Sequence, residues 1–512
     1  MIRALSRWLA CGVQITRPDI PSWLRRWSGA VSIGGAAIAF SGAIYGGVPA
    51  EAGTIDARPN EGLFFQAAAG EANNLLITQA GGLYTVVDSA PLTALGACVS
   101  TGLSSATCPA GEPWIRGWHV SVDLGDLDDS ADVTAAPGGS ILGGEGADVV
   151  SATSQGSRFR FGFSVEGGAG ADTLVNDDGD AMLRGQGDND TLVGRGSNPK
   201  TLMVGGPGDD AVENYDGNAT VRGRGGDDTL ENNGPGNATL RGEGGNDTLV
   251  SRGVGGETFM VGGLGADTFS LGPGSTTVSY RSREAASPVT VDADGIADDG
   301  AAGEGDNLLP GKGSSAGIWG GAGPDYLAVG GGIGELKGFA GDDHLDARFE
   351  VASPKPNRGA RMMGGTGDDD IQGGMGGNVI LGGAGADWIN AHAGVDRVGG
   401  REGVDNIYGG GGDDSLYGGR GGDLMFGGVG DDLLEGGNGP DFMGGNWGND
   451  IIRGQRGHDE AFGLHGSDLL DMRDGFRDPT VDGGAGRDRA SIDPGLDRGV
   501  TSIERLLVGR TL

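Results

Sequence analysis

Residues 409–443 read GGGGDDSLY GGRGGDLMF GGVGDDLLE GGNGPDFM. An aspartate returns every nine residues, at Asp414, Asp423, Asp432 and Asp441, and an apolar residue follows two places behind each, at Leu416, Met425, Leu434 and Met443. Glycine fills most of the remaining positions. Side chains alternate faces along a strand, so in the triplet after each aspartate only the middle residue points inward. The period therefore predicts a very short strand, a glycine turn, and a second short strand. Two nonapeptides make one coil, and stacked positions differ by 18 residues.

The same register holds without a slip over residues 364–471. Its sixth positions are Asp369, Asn378, Asp387, Asp396, Asp405, Asp414, Asp423, Asp432, Asp441, Asp450, Asp459 and Asp468, and every eighth position is apolar. Stacking at 18 residues predicts two carboxylate ladders, one from Asp369 to Asp459 and one from Asn378 to Asp468. Asn378 carries no charge, so its site should be weaker. Residues 319–346 carry a shorter run with Asp325 and Asp343, and residues 347–363 read as a polar, proline-bearing loop.

A looser repeat fills residues 136–275, with aspartates at Asp148, Asp172, Asp190, Asp210, Asp228, Asp247 and Asp267. Here the motif occurs once per coil of about 19 residues, which predicts a single ladder. Thr201, Thr220, Thr239 and Thr258 fall 19 residues apart and predict a threonine ladder on the second strand of each coil. Residues 276–318 break the pattern and read as a connector, 51–135 as a β-rich N-terminal cap, and 472–512 as a C-terminal cap with one weak nonapeptide.

The 512 residues include 111 glycines, and the formal charge is −35. Glycine is costly to order, so such a chain must gain something from positive φ or close backbone approach. The charge argues against nucleic acid and anionic membrane as partners and for a cation. Calcium takes six to eight hard oxygen ligands in flexible geometry, which turn carbonyls and aspartates from neighbouring coils can supply. Zinc would call for histidine or cysteine. The histidines (His119, His344, His392, His458 and His465) are scattered, and no HExxH is present. Without the cation, stacked like charges and a thin core favour a disordered chain, so metal binding should be coupled to folding.

These nonapeptides, GGxGxDxUx with U apolar, resemble the repeats-in-toxin (RTX) calcium-binding repeat. The resemblance implies an all-β parallel β-roll or β-helix solenoid that binds many calcium ions through the aspartates named above. Such rolls are often attached to hydrolases or toxins. A catalytic part in residues 51–135 is therefore the alternative to a structural or adhesive role. No catalytic constellation supports it; GSSAG at residues 313–317 has the GxSxG form but lacks the strand-then-helix setting of a nucleophile elbow. The expectation is a protein that is not an enzyme.

Residues 1–50 place Arg25 and Arg26 ahead of a small-residue apolar run that ends near Val48, Pro49 and Ala50. This reads as an export signal or anchor, with cleavage favoured because the run is weakly hydrophobic for a spanning helix. It implies a secreted or cell-surface protein with no stable membrane span in the mature chain. Cys98 and Cys108, close in sequence in an exported chain, read as a disulfide. Outward positions of the repeat gather Trp388, Tyr408, Phe426, Phe442 and Phe462 on one side. That row is a candidate contact face for a protein or cell-surface glycan, or is covered by the chain's own loops.

Overall fold

A computed structural model describes residues 31–33, 36–38, 52–58, 61–110, 119–135, 138–154, 162–196, 200–282, 287–309, 315–330, 333–349 and 359–507. The chain divides into two units, Met1–Ala50 and Glu51–Leu512. In the first, Val31–Ile33 pairs antiparallel with Ala36–Ile38. The rest of the expected export segment lies outside the described residues, as does most of the expected loop at 347–363. Among the described residues no helix is long and apolar enough to cross a membrane.

The second unit is a parallel β-solenoid. The opening stretch shows how it is wound. Asn406–Gly411 and Leu424–Val429 pair in one sheet, with Ile407 beside Met425. Ser415–Arg420 and Leu433–Asn438 pair in the facing sheet, with Leu416 beside Leu434. Each coil rises by one strand spacing and returns the eighth position to the same column. Ile371, Ile389, Ile407, Met425, Met443 and Ala461 stack in one column and Ile380, Val398, Leu416, Leu434, Ile452 and Leu470 in the other, all at 0% exposure.

The strands are longer than the triplet reading predicts. Leu424–Val429 has six residues, and inward positions alternate at Met425 and Gly427. Each nonapeptide thus turns two residues inward, its apolar eighth position and the first glycine of the next repeat. The strand continues through the glycine pair because glycine tolerates an extended strand as well as the turn that follows.

One face is a continuous sheet of 23 strands, and two sheets of 13 strands face it in turn. Residues 276–318 do not interrupt the long sheet. Ser275–Ser279 pairs with Glu257–Leu264 on one side and with Ser315–Trp319 on the other. The insertion leaves from the opposite face. There Asn307–Leu309 closes one sheet against Thr268–Ser270, and Val289–Val291 opens the next against Tyr326–Gly330. A single antiparallel bridge, Asp299 to Asp306, joins the two.

Residues 51–135 enter the same winding. Gly62–Gln66 pairs parallel with His119–Asp126, and Asn74–Ala80 with Ser130–Ala135. Antiparallel strands close that end: Gly53–Arg58 on the long sheet, and Leu83–Val87, Ser105–Pro109 and Val99–Gly102 on the other. Cys98 and Cys108 lie at disulfide distance there. At the far end Thr480–Asp482, Arg489–Ser491, Val500–Thr501 and Arg505–Leu506 continue both sheets.

The expected threonine ladder does not form. Thr201 pairs beside Ala219, Thr220 beside Thr239, and Ala238 beside Thr258. Coil lengths in this stretch vary between 18 and 20 residues, as the spacing of the bonded aspartates shows, so a constant spacing of 19 drifts by one position. A one-residue slip flips a side chain to the other face. Thr201 and Thr258 are buried, whereas Thr220 and Thr239 are half-exposed on the outer face.

The inward and outward assignments can be checked on adjacent leucines. Leu434→Ala should cost about 2–5 kcal/mol through transfer and cavity terms, and Leu433→Ala, on the outer face, under about 1 kcal/mol. Urea unfolding at saturating calcium reads both. Equal losses would contradict the register.

Candidate metal centre

The geometry at Asp432 shows what each repeat builds. The turn takes positive φ at Gly428 (+119°) and Gly430 (+138°), which swings the chain back under the preceding coil. Gly427 has ordinary φ but leads into the coil's interior. A Cβ placed there would stand 2.3 Å from Oδ2 of Asp432 and 2.8 Å from the carbonyl oxygen of Gly445, one coil on. Two oxygens from successive coils therefore converge on the space that a side chain at Gly427 would enter. The same convergence recurs at Gly364 (Asp369 and Gly382), Gly400 (Asp405 and Gly418), Gly409 (Asp414 and Gly427) and Gly436 (Asp441 and Gly454).

The two oxygens of each carboxylate have different roles. Oδ1 of Asp432 accepts the backbone N–H of Asp414 at 2.7 Å, and the N–H of Asp432 donates to Oδ1 of Asp450 at 2.9 Å. Oδ2 of Asp432 is buried and has no hydrogen-bond partner. The same orphaned Oδ2 recurs at Asp148, Asp172, Asp190, Asp210, Asp228, Asp247, Asp267, Asp343, Asp369, Asp387, Asp396, Asp405, Asp414, Asp423, Asp441, Asp450 and Asp468. A buried, unpaired carboxylate oxygen costs several kcal/mol unless a cation or proton meets it. Burial raises these groups accordingly, against the opposing pull of the backbone hydrogen bond. Asp432 and Asp414 rise to about 7, and Asp267, Asp369 and Asp441 to about 8. Paired carboxylate and carbonyl oxygens, dehydrated and without nitrogen or sulfur, fit calcium.

All the aspartates expected from the sequence enter three ladders. The first runs Asp148, Asp172, Asp190, Asp210, Asp228, Asp247, Asp267, each N–H donating to the next Oδ1 at 2.8–2.9 Å. The second runs Asp325, Asp343, Asp369, Asp387, Asp405, Asp423, Asp441, Asp459 at 2.8–3.0 Å. The third runs Asp396, Asp414, Asp432, Asp450, Asp468 on the opposite edge, at 2.7–2.9 Å. Asp325 differs from the rest because its Oδ2 accepts the N–H of Gly321 at 2.5 Å.

The ladders extend past the expected residues. Asp129 precedes Asp148, Asp306 follows Asp267, Asp478 and Asp497 follow Asp459, and Asp488 follows Asp468. Only Asp488 sits in a recognisable nonapeptide; the turns before the others lack the glycine pair that flags the motif. A further ladder went unread. The fifth position of a repeat accepts the N–H of the following coil, as Asp413 does from Asp431 at 2.9 Å and Asp431 from Asn449 at 2.7 Å. It points outward and runs against the direction of the buried ladders, so each turn is gripped by both its neighbours.

Asn378 closes its turn without a metal. Its Nδ2 donates to the carbonyls of Gly374 (3.1 Å) and Ala391 (3.0 Å) and to Oδ1 of Asp396 (2.9 Å). A Cβ on Gly373 would meet that amide nitrogen at 3.0 Å, where other repeats place a carboxylate oxygen.

The five aromatic residues form one stripe on the outer face. Ring centroids are 5.1 Å apart for Trp388–Tyr408, 5.6 Å for Tyr408–Phe426, 5.9 Å for Phe426–Phe442 and 5.0 Å for Phe442–Phe462. In-register parallel strands turn ring faces toward each other along the axis, and Tyr408 and Phe426 are within 19° of parallel.

A parallel β-solenoid with glycine turns and stacked, buried carboxylates has the form of a cation-binding roll. The chain's own repeats identify its kind. Residues 319–349, 363–398, 372–407, 399–434, 408–443, 426–461 and 444–475 match the model of RTX calcium-binding nonapeptide repeats. Residues 319–349 and 363–475 therefore carry RTX calcium-binding repeats, and the cofactor is calcium. No curated protein matches the chain. Residues before 319 fall outside those matches yet carry the same cradle, as at Gly143 (Asp148 and Gly167) and Gly242 (Asp247 and Gly262).

Two outcomes follow from the cradle. Gly427→Ala, which adds no φ strain, should raise the calcium concentration needed to order the roll, read by circular dichroism; an unchanged midpoint would separate the cradle from calcium binding. The second concerns pH. Folded pKa values lie above the usual carboxylate range, so protons stabilise the calcium-free fold. That contribution is full below about pH 4 and is lost as pH rises through about 6 to 8. With calcium chelated, β-structure should be greater at pH 5 than at pH 8, whereas calcium affinity should rise over the same interval.

Proposed function

We propose that the protein is exported, folds on binding calcium outside the cell, and serves there as a structural or adhesive element rather than as an enzyme. The observation that carries this reading is the row of buried Oδ2 atoms without partners. At neutral pH such a row opposes folding, so the cation that neutralises it also completes the fold. Weak extracellular-type calcium sites are saturated only where calcium is plentiful, which agrees with the apolar run near the N-terminus.

The interaction face we assign is the aromatic stripe. Trp388 is 46% exposed, and the other rings are half-buried against one another. The rings pack on one another, stacked at Tyr408–Phe426 and tilted at the other three contacts, so the stripe offers ring edges and the open side of Trp388. A protein surface suits that arrangement better than a sugar, which would need a free aromatic face.

Calcium titration of residues 51–512 by far-UV circular dichroism tests the main claim. A β-sheet spectrum is expected at millimolar calcium and its loss in excess chelator; the same ordered spectrum in both would defeat the reading. A Trp388→Ser, Phe426→Ser double variant should keep the calcium-dependent spectrum and lose partner binding or self-association. Hydrolase activity in the purified protein would overturn the non-enzymatic part.

A further inference from the structure

The two halves of the solenoid close their second edge by different chemistry. Over residues 361–491 that edge carries the third carboxylate ladder, with orphaned Oδ2 atoms at Asp396, Asp414, Asp432, Asp450, Asp468 and Asp488. Over residues 139–279 the corresponding edge carries Ala152, Asn176, Gly194, Asn214, Asn232 and Ser251, stacked in register. Three of these groups form a hydrogen-bonded chain with Thr258. Asn214 Nδ2 donates to Asn232 Oδ1 at 2.7 Å, Asn232 Nδ2 to Thr258 Oγ1 at 2.9 Å, and Ser251 Oγ to Thr258 Oγ1 at 3.0 Å. Thr201 donates to Asp216, a buried carboxylate on this edge. From Asn214 to Thr258 neutral amides and hydroxyls satisfy each other without a cation, whereas Asn176 Oδ1 and Asp216 Oδ1 are buried without a partner.

Apart from the coil of Asn378, the coils in 361–491 therefore bury two carboxylates that need neutralising, and the coils in 139–279 mostly one. Between the halves the long sheet runs through, and among the described residues the Asp299–Asp306 bridge and the Leu308 N–H donated to Oδ2 of Asp299 at 2.8 Å join the sheets of the other face. A fold stabilised by more bound ions depends more steeply on their free concentration, and successive segments of a repeat array can open separately.

We propose that the solenoid responds to calcium in two steps: residues 361–491, with two cation cradles per coil, lose their order at higher free calcium than residues 139–279, with one cradle and an amide-closed edge. This rests on the calcium-dependent folding proposed above. On falling calcium the chain passes through a state with an ordered N-terminal half and an extended acidic C-terminal half.

Hydrogen–deuterium exchange of the full chain across a calcium-buffered series reads the two segments separately. The expected result is two midpoints, with peptides from 361–491 protected only at several-fold higher calcium and with a steeper transition. One shared midpoint, or the reverse order, overturns the proposal while leaving calcium-dependent folding intact. Protection of both segments in excess chelator would instead defeat the folding reading itself. The variant Asn232→Ala, which breaks the amide closure, should move the midpoint of 139–279 toward that of 361–491 and leave the latter in place. An unmoved midpoint overturns the role given to the amides.

Discussion

Most of the second unit shares one constraint: coil after coil buries a carboxylate oxygen that has no hydrogen-bond donor. The backbone meets Oδ1 by giving it the N–H of the preceding aspartate, which locks coil to coil. Oδ2 faces the carbonyl of the next coil's glycine, another acceptor. Two acceptors turned toward each other in a dehydrated cleft repel unless something positive lies between them. Each nonapeptide sets one apolar side chain in the core against that repulsion, which a bound cation or a proton relieves.

Glycine at the first position follows from the same constraint. It would be natural to assign all the glycines to turn geometry, and positive φ at the second and fourth positions supports that for those two. Arg401, Asn446, Gln455 and Leu464 nevertheless hold the second position at φ between +68° and +91°, so glycine there is favoured rather than required. The first position is different. Gly427 and its equivalents have no positive φ, and their side chain would enter the cradle. Over 364–471 the first position is glycine in every repeat but one, where Ala391 stands, whereas the second position is relaxed more often.

How much of this the sequence discloses depends on how constant the period is. Over 364–471 each coil is 18 residues, so a reader counting in nines places every aspartate and every core residue correctly. Where coil length varies the count fails, and Thr201 and Thr258 turn inward while Thr220 and Thr239 do not. Asp129, Asp306, Asp478 and Asp497 are invisible for a related reason. They occupy ladder positions set by stacking on a formed neighbour, and their own turns lack the local glycine signal. The insertion at 276–318 reads as a break because it interrupts the motif on one face. That Ser275–Ser279 and Ser315–Trp319 stay neighbours in the long sheet is a long-range pairing with no local trace. The family model stops at residue 319 for the same reason that the count falters before it: the first half has one motif per coil, diluted by an edge of asparagine, serine and threonine.

That edge also shows that carboxylates are not needed to build the turn. Asn378 and the Asn214–Asn232–Thr258 chain satisfy the same backbone geometry with neutral groups, and they do so inside the same solenoid. The two chemistries are unevenly distributed along the chain, and the buried carboxylates are densest where the nonapeptide is most regular. The aromatic stripe lies on that same dense half. Its rings stack down the axis from Trp388 to Phe462, so it adds coil-to-coil contact on the outer face where the interior relies most on bound metal. Once the coils are in register the rings come together without further rearrangement. Before that they are separated by about 18 residues of glycine-rich chain and have no reason to meet. Ring stacking and ion binding thus reinforce each other: each requires the stacked coils that the other stabilises.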